Sequence, residues 1–144
     1  MSATIDANVL LYASDTASRF HRQARAFLER VARGPDLLYL FWPTVMSYLR
    51  IATHPAVFDR PLRPDEAMAN VEALLSLPHV QSPGEGDRFW TRFLEVAGEA
   101  GARGNLIPDA HVVALMRENG VRTIWTHDRD FRRFPGIRVR DPFE

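Results

Sequence analysis

The stretch Thr123-Ile-Trp-Thr-His-Asp128-Arg-Asp130-Phe131 decides how this chain is read. Its apolar opening, 123–126, has the length of a short strand, and it runs out into two acids one residue apart, Asp128 and Asp130. The chain opens in the same manner: residues 3–5 predict a first strand, and Asp6 follows it. A further acid, Asp109, stands in Asn105-Leu-Ile-Pro108-Asp109-Ala, where Pro108 suits a first helical position and Asp109 a first turn. Carboxylates at the ends of three separate elements are the hard oxygen donors that a divalent cation takes.

Between these points, strands and helices alternate. Asn8–Ser14 predicts a short helix, and Asp15-Thr-Ala-Ser18 a turn. Phe20, Ala24, Phe27, Leu28 and Val31 recur at helical spacing, and Gly34-Pro35-Asp36 breaks that helix. The continuous apolar run Leu37–Trp42 predicts a fully buried parallel strand. A helix follows from Pro43 to about Thr53, where His54-Pro55 stops it. After a proline-bearing loop, 55–64, a helix runs from Asp65 to about Leu77, and His79–Ser82 is a short strand. Asp87 to about Ala100 is an amphipathic helix with Phe89, Trp90, Phe93, Leu94 and Ala97 as its expected buried stripe. Val112, Leu115 and Met116 give the core face of the helix that carries Asp109, which Asn119-Gly120 ends. Ile137–Val139 is an expected edge strand. The alternation predicts an α/β fold with a mainly parallel sheet, in one domain over 1–144. In such sheets the ligand crevice lies at the carboxyl ends of the strands, which is where Asp6 and Asp128 fall.

Composition narrows the chemistry. With 46% apolar and 25% charged residues the chain is globular rather than disordered. It contains no cysteine, so disulfides, zinc thiolates and a cysteine nucleophile are excluded. No apolar run approaches the ~20 residues of a membrane span, and the first residues lack the basic and apolar regions of a signal peptide. The expected location is therefore the cytoplasm. Net charge is zero, but all 18 basic residues are arginine. Arginine forks bind phosphate in bidentate fashion, although genome composition gives the same bias.

Close carboxylates repel one another, and a bound cation relieves that repulsion. The same cation activates water and holds a phosphate oxygen, which suits phosphodiester hydrolysis. Each acid also has a plain structural reading. Asp6 suits a helix cap, Asp109 suits a helix dipole, and Asp128 and Asp130 suit an Asx turn. The five histidines share no metal-ligand spacing, and no Walker or dinucleotide glycine motif is present. An aspartyl-phosphate enzyme with Asp6 as nucleophile fits poorly, because the second acid it wants two residues on is Asn8.

Four stretches together resemble the PIN-domain family, and more narrowly its VapC-type ribonuclease toxins. They are Asp6-Ala-Asn8-Val-Leu-Leu-Tyr12-Ala, Leu49-Arg50-Ile-Ala-Thr53-His-Pro55, Gly104-Asn105-Leu-Ile-Pro108-Asp109-Ala-His111 and Thr126-His-Asp128-Arg-Asp130-Phe131. The resemblance implies a three-layer α/β/α sandwich, usually dimeric. It implies endoribonuclease activity dependent on Mg²⁺ or Mn²⁺, with RNA as substrate and an antitoxin protein as partner. It marks Asp6, Asp109 and Asp128 as metal-holding acids, with Asp130 as a frequent further acid, and Asn8 and Thr126 as polar residues lining the site. One position departs: the glutamate that many members carry on the helix after the second strand corresponds to Ser47. A serine brings no charge, so weaker metal affinity or an inactive, purely binding member are both open. Arg50, Arg129, Arg132 and Arg133 lie near these motifs as candidate RNA-phosphate contacts.

Overall fold

The computed structural model describes residues 1–144. Five strands form one sheet: β1 (Ser2–Ile5), β2 (Leu37–Tyr39), β3 (Val80–Gln81), β4 (Thr123–Trp125) and β5 (Arg138–Arg140). They lie in the order β3-β2-β1-β4-β5, and every neighbouring pair is parallel. The helices are α1 (Ala7–Ser14), α2 (His21–Ala32), α3 (Trp42–Ala52), α4 (Pro64–Leu75), α5 (Phe89–Ala100) and α6 (Leu106–Glu118), with a 3₁₀ turn at Arg129–Arg133. None is long and apolar enough to cross a membrane.

Alternation along the strands divides the interior into two cores. Ile5 and Leu38 point into one, with Phe27, Val45, Ala67 and Val71 from α2, α3 and α4. Ile124 points into the other, with Val96 from α5 and Leu106, Val113 and Met116 from α6. The sheet thus has helices on both faces, giving the expected three layers. The connections from β1 to β2 and β2 to β3 step outward one way, and the connection from β3 to β4 returns past β1. Right-handed crossovers place helices on opposite faces when the direction of travel reverses. The reversal opens a crevice between the carboxyl ends of β1 and β4, the usual ligand position in such sheets.

Three local expectations differ from the structure. The strand expected over Leu37–Trp42 ends at Tyr39; Leu40 and Phe41 are buried beyond it, and Trp42, 39% exposed, already begins α3. Residue 43 is proline, which favours the first helical turn and so pulls the helix start forward. α6 begins at Leu106, so Pro108 is its third residue rather than its first. On α5, Trp90 and Leu94 are 63% and 54% exposed, whereas Val96 is fully buried. The face that meets α6 centres on Phe89, Phe93, Val96 and Ala100, and Trp90 and Leu94 lie on its flank.

Candidate metal centre

Asp6 leaves β1 in an extended conformation and caps α1, its Oδ1 accepting from the Ala7 N–H at 2.7 Å. Its other oxygen accepts from the Thr126 hydroxyl at 2.8 Å, just past β4. The Thr126 hydroxyl in turn accepts from Asn8 Nδ2 at 3.2 Å and from the Asp128 N–H at 2.9 Å. One donor and two lone pairs are all that a hydroxyl has, so Thr126 is saturated. That saturation also fixes the Asn8 amide: a flipped carbonyl would face an oxygen whose only proton is already committed. Asn8 Oδ1 is then left buried with no partner.

Asp128 caps the 3₁₀ turn, its Oδ1 accepting from the Asp130 N–H at 2.9 Å. Asp109 reaches the same place from the first turn of α6. Carboxylate oxygens of Asp109, Asp128 and Asp130 all lie within 4.8 Å of one another. Asp6 stands outside that tight triad, yet its charge is felt by Asp109. Burial, then the charges of Asp6, Asp128 and Asp130, push the Asp109 carboxyl up to about 7. Asp6 is raised too, chiefly by burial, against the lowering effect of its bonds from Thr126 and Ala7.

The donor set fits a hard divalent cation. Every group is an oxygen, no imidazole or thiolate intrudes, and the repulsion around Asp109 is the kind that a cation removes. The orphaned Asn8 Oδ1, on the residue whose amide N–H reaches Thr126, is a further neutral oxygen.

Ser47 is half-buried in the middle of α3, and its hydroxyl makes no hydrogen bond within the chain. Arg50, Arg129, Arg132 and Arg133 are exposed, and none takes part in an ion pair.

Two features of the site escaped the sequence. Tyr12 lies one turn beyond Asn8 on α1, and its phenol is raised by burial and then by the charges of Asp128, Asp141 and Asp6. The i, i+4 spacing from Asn8 is the signal that could have found it. His127 Nδ1 is bonded to Asp141 Oδ2 at 2.7 Å. That pair depends on the register of β4 against β5, which spacing alone does not give.

Comparison with known proteins agrees with this fold. The family model described as the PIN domain matches residues 3–137. The chain is 52% identical over 143 residues to Ribonuclease VapC48 of Mycobacterium tuberculosis, covering 99% of each. It is 36% identical over 140 residues to Ribonuclease VapC43 of the same organism, covering 97% of this chain and 95% of that one. Among solved structures, VapBC2 from Rickettsia felis bound to a promoter DNA fragment superposes with a TM-score of 0.70 at 13% identity, over 98% of each chain. The sarcin-ricin loop cleaving toxin VapC20 of M. tuberculosis does so with a TM-score of 0.67 at 17% identity, over 94% of this chain and 98% of that chain.

Proposed function

This chain belongs to the PIN-domain family, and from that premise we propose that it is a metal-dependent endoribonuclease toxin neutralised by an antitoxin. The observation that carries the reading is the group of Asp109, Asp128 and Asp130 carboxylates, with Asp109 raised to about 7, at the crevice between β1 and β4. Relatives named ribonucleases support the RNA substrate, and fold neighbours solved as VapBC assemblies support the antitoxin partner. The exposed Trp90, Leu94 and Ile107 on α5 and α6 support a homodimer, since monomers rarely leave large side chains grouped in water. The cytoplasm is the proposed location.

Asp6, Asp109 and Asp128, with Asp130 beside them, would hold Mg²⁺ or Mn²⁺. When bound, the cation supplies Lewis-acid polarisation of a phosphate and a water made nucleophilic at neutral pH. The Ala7 N–H and the Thr126 hydroxyl hold the Asp6 carboxyl in one orientation, and Asn8 Oδ1 would accept from a water or offer a neutral ligand. Arg129, Arg132 and Arg133, on the turn that follows Asp128, together with Arg50, bind backbone phosphates and set the RNA against the acids.

Ser47 favours a second reading, a PIN fold that binds without cutting, because it withholds one charge from the acid group. The experiment is an RNA cleavage assay on antitoxin-free protein. Total tRNA and rRNA are incubated with Mg²⁺, with Mn²⁺ and with EDTA, beside Asp6→Asn. Discrete fragments that need metal and vanish in the mutant are expected. Intact RNA in both metals, from a folded protein, would move the assignment to the binding reading.

A further inference from the structure

The pairing of β4 with β5 does not stop where the strands do. The Thr126 N–H donates to the Arg140 carbonyl at 2.8 Å. One residue further along both strand extensions, the His127 ring Nδ1 meets Asp141 Oδ2 at 2.7 Å. The other Asp141 oxygen accepts from the Phe143 N–H at 2.9 Å, so both oxygens of this carboxylate, only 14% exposed, are occupied. That turn brings the Phe143 ring back over Phe20, stacked at 4.7 Å and 4°. His127 is then held among three rings from three parts of the chain: Phe20 at 4.6 Å, Phe143 at 5.3 Å and Tyr12 at 6.1 Å. Asp141 fixes the imidazole tautomer with its proton on Nδ1.

His127 stands between the saturated hydroxyl of Thr126 and the acid Asp128. With the Thr126 N–H and hydroxyl both committed and the His127 ring gripped, little backbone freedom remains to move Asp128. We infer that Asp141 and Phe143, acting through His127, are positioning residues that aim Asp128 into the carboxylate group. The inference rests on the metal-nuclease reading above and adds to it a support that lies outside the ligands. Partners that hydrogen-bond a metal ligand from outside typically change metal affinity by about 10–100-fold when removed, and a support one residue away from the ligand should act at the low end of that range.

The test is Mn²⁺ uptake by the full chain, measured calorimetrically without RNA, with metal-free melting recorded beside it. His127→Leu and Asp141→Ala should each bind Mn²⁺ on the order of tenfold more weakly. His127→Asn, whose amide N–H falls near the place of the ring Nδ1–H, should recover much of that loss. A simple anchoring role would lower the melting temperature of the loss variants and leave their Mn²⁺ affinity at the wild-type value. That result overturns the inference. If Asp141→Ala does not fold, Phe143→Leu keeps both hydrogen bonds and reads the ring grip alone; unchanged Mn²⁺ affinity there counts against the inference equally. Wild-type protein that takes up no Mn²⁺ would instead overturn the nuclease reading itself, and the positioning role with it.

Discussion

Asp6 and Asp109, two of the acids proposed to hold the metal, sit in different surroundings. Asp6 is half-buried, and its two oxygens accept from the Ala7 N–H and the Thr126 hydroxyl. Asp109 has no hydrogen bond within the chain and lies near three other carboxylates, which with burial raise it to about 7. The fold gives the first acid two hydrogen bonds and leaves the second with none in the chain. A site assembled only from acids of the first kind would be stable and indifferent to metal. One made only of the second kind would have no fixed frame on which to gather the ligands.

The sharpest way to break this contrast is to neutralise each acid in turn. Asp109→Asn should lower Mn²⁺ affinity and cleavage by more than about 100-fold, beyond the range of an outer-partner loss. It should also raise the melting temperature of the metal-free protein above neutral pH, because it removes a repulsion. Asp6→Asn should abolish cleavage as well but lower the melting temperature, since an amide nitrogen replaces an oxygen that accepts a hydrogen bond. Equal shifts in melting for the two variants would show that the acids are not differently housed.

The pH dependence follows from the same difference. Native Asp109 keeps its proton up to about 7, whereas the unperturbed carboxyl loses it near 3.8. Between those values the native state binds more protons than the unfolded one, so stability falls as pH rises. The contribution is fully present below the lower value and lost once pH passes the upper one. Asp6, raised by burial, acts in the same direction. Metal-free protein should therefore melt at progressively lower temperature from about pH 5 to pH 8, and Mn²⁺ affinity should climb through about pH 7 as Asp109 deprotonates. A melting temperature that rises across this range would contradict the arrangement of charges.

Thr126 is the joint between the two regimes, and its removal should have a smaller effect. Thr126→Val strips Asp6 of a donor and both Asn8 and the Asp128 N–H of an acceptor. The expected loss is about 1–3 kcal/mol in denaturant unfolding, and Thr126→Ser, which keeps the hydroxyl, should lose little. An unaltered unfolding midpoint in Thr126→Val would mean that water replaces the hydroxyl at no cost.

Much of this was legible in the sequence because strand ends are legible. Short apolar runs that stop at an acid located Asp6 and Asp128, and the alternation of elements gave the parallel sheet whose order then brought them together. The misreadings have a common cause. The α5 stripe of Phe89, Trp90, Phe93, Leu94 and Ala97 is wider than the face that α6 covers, and periodicity alone does not say which edge of the arc stays in water. The His127–Asp141 pair joins residues from separate strands, so it becomes visible only once the β4–β5 register is known. The tight triad was likewise out of reach: Asp130 reads from the sequence as an accessory to Asp128, and only the 3₁₀ turn folds it back toward Asp109.

Ser47 provides the finest adjustment of the contrast. It sits half-buried on α3, the helix that leaves the sheet after β2 at the same carboxyl edge as Asp6 and Thr126. Adding a charge here, Ser47→Glu, extends the unsatisfied kind of acid and leaves the satisfied kind untouched. Without metal the new carboxylate should add to the repulsion, lowering the melting temperature above neutral pH and holding the Asp109 proton more tightly. With metal the same charge becomes a ligand or holds a bound water, and the Mg²⁺ titration midpoint should fall by several-fold. The two effects have opposite signs because one cause, a carboxylate with no partner in the chain, is costly alone and useful to a cation. A variant that loses stability without gaining Mg²⁺ affinity would place residue 47 outside the reach of the metal. The native serine would then carry no information about whether the site cuts RNA.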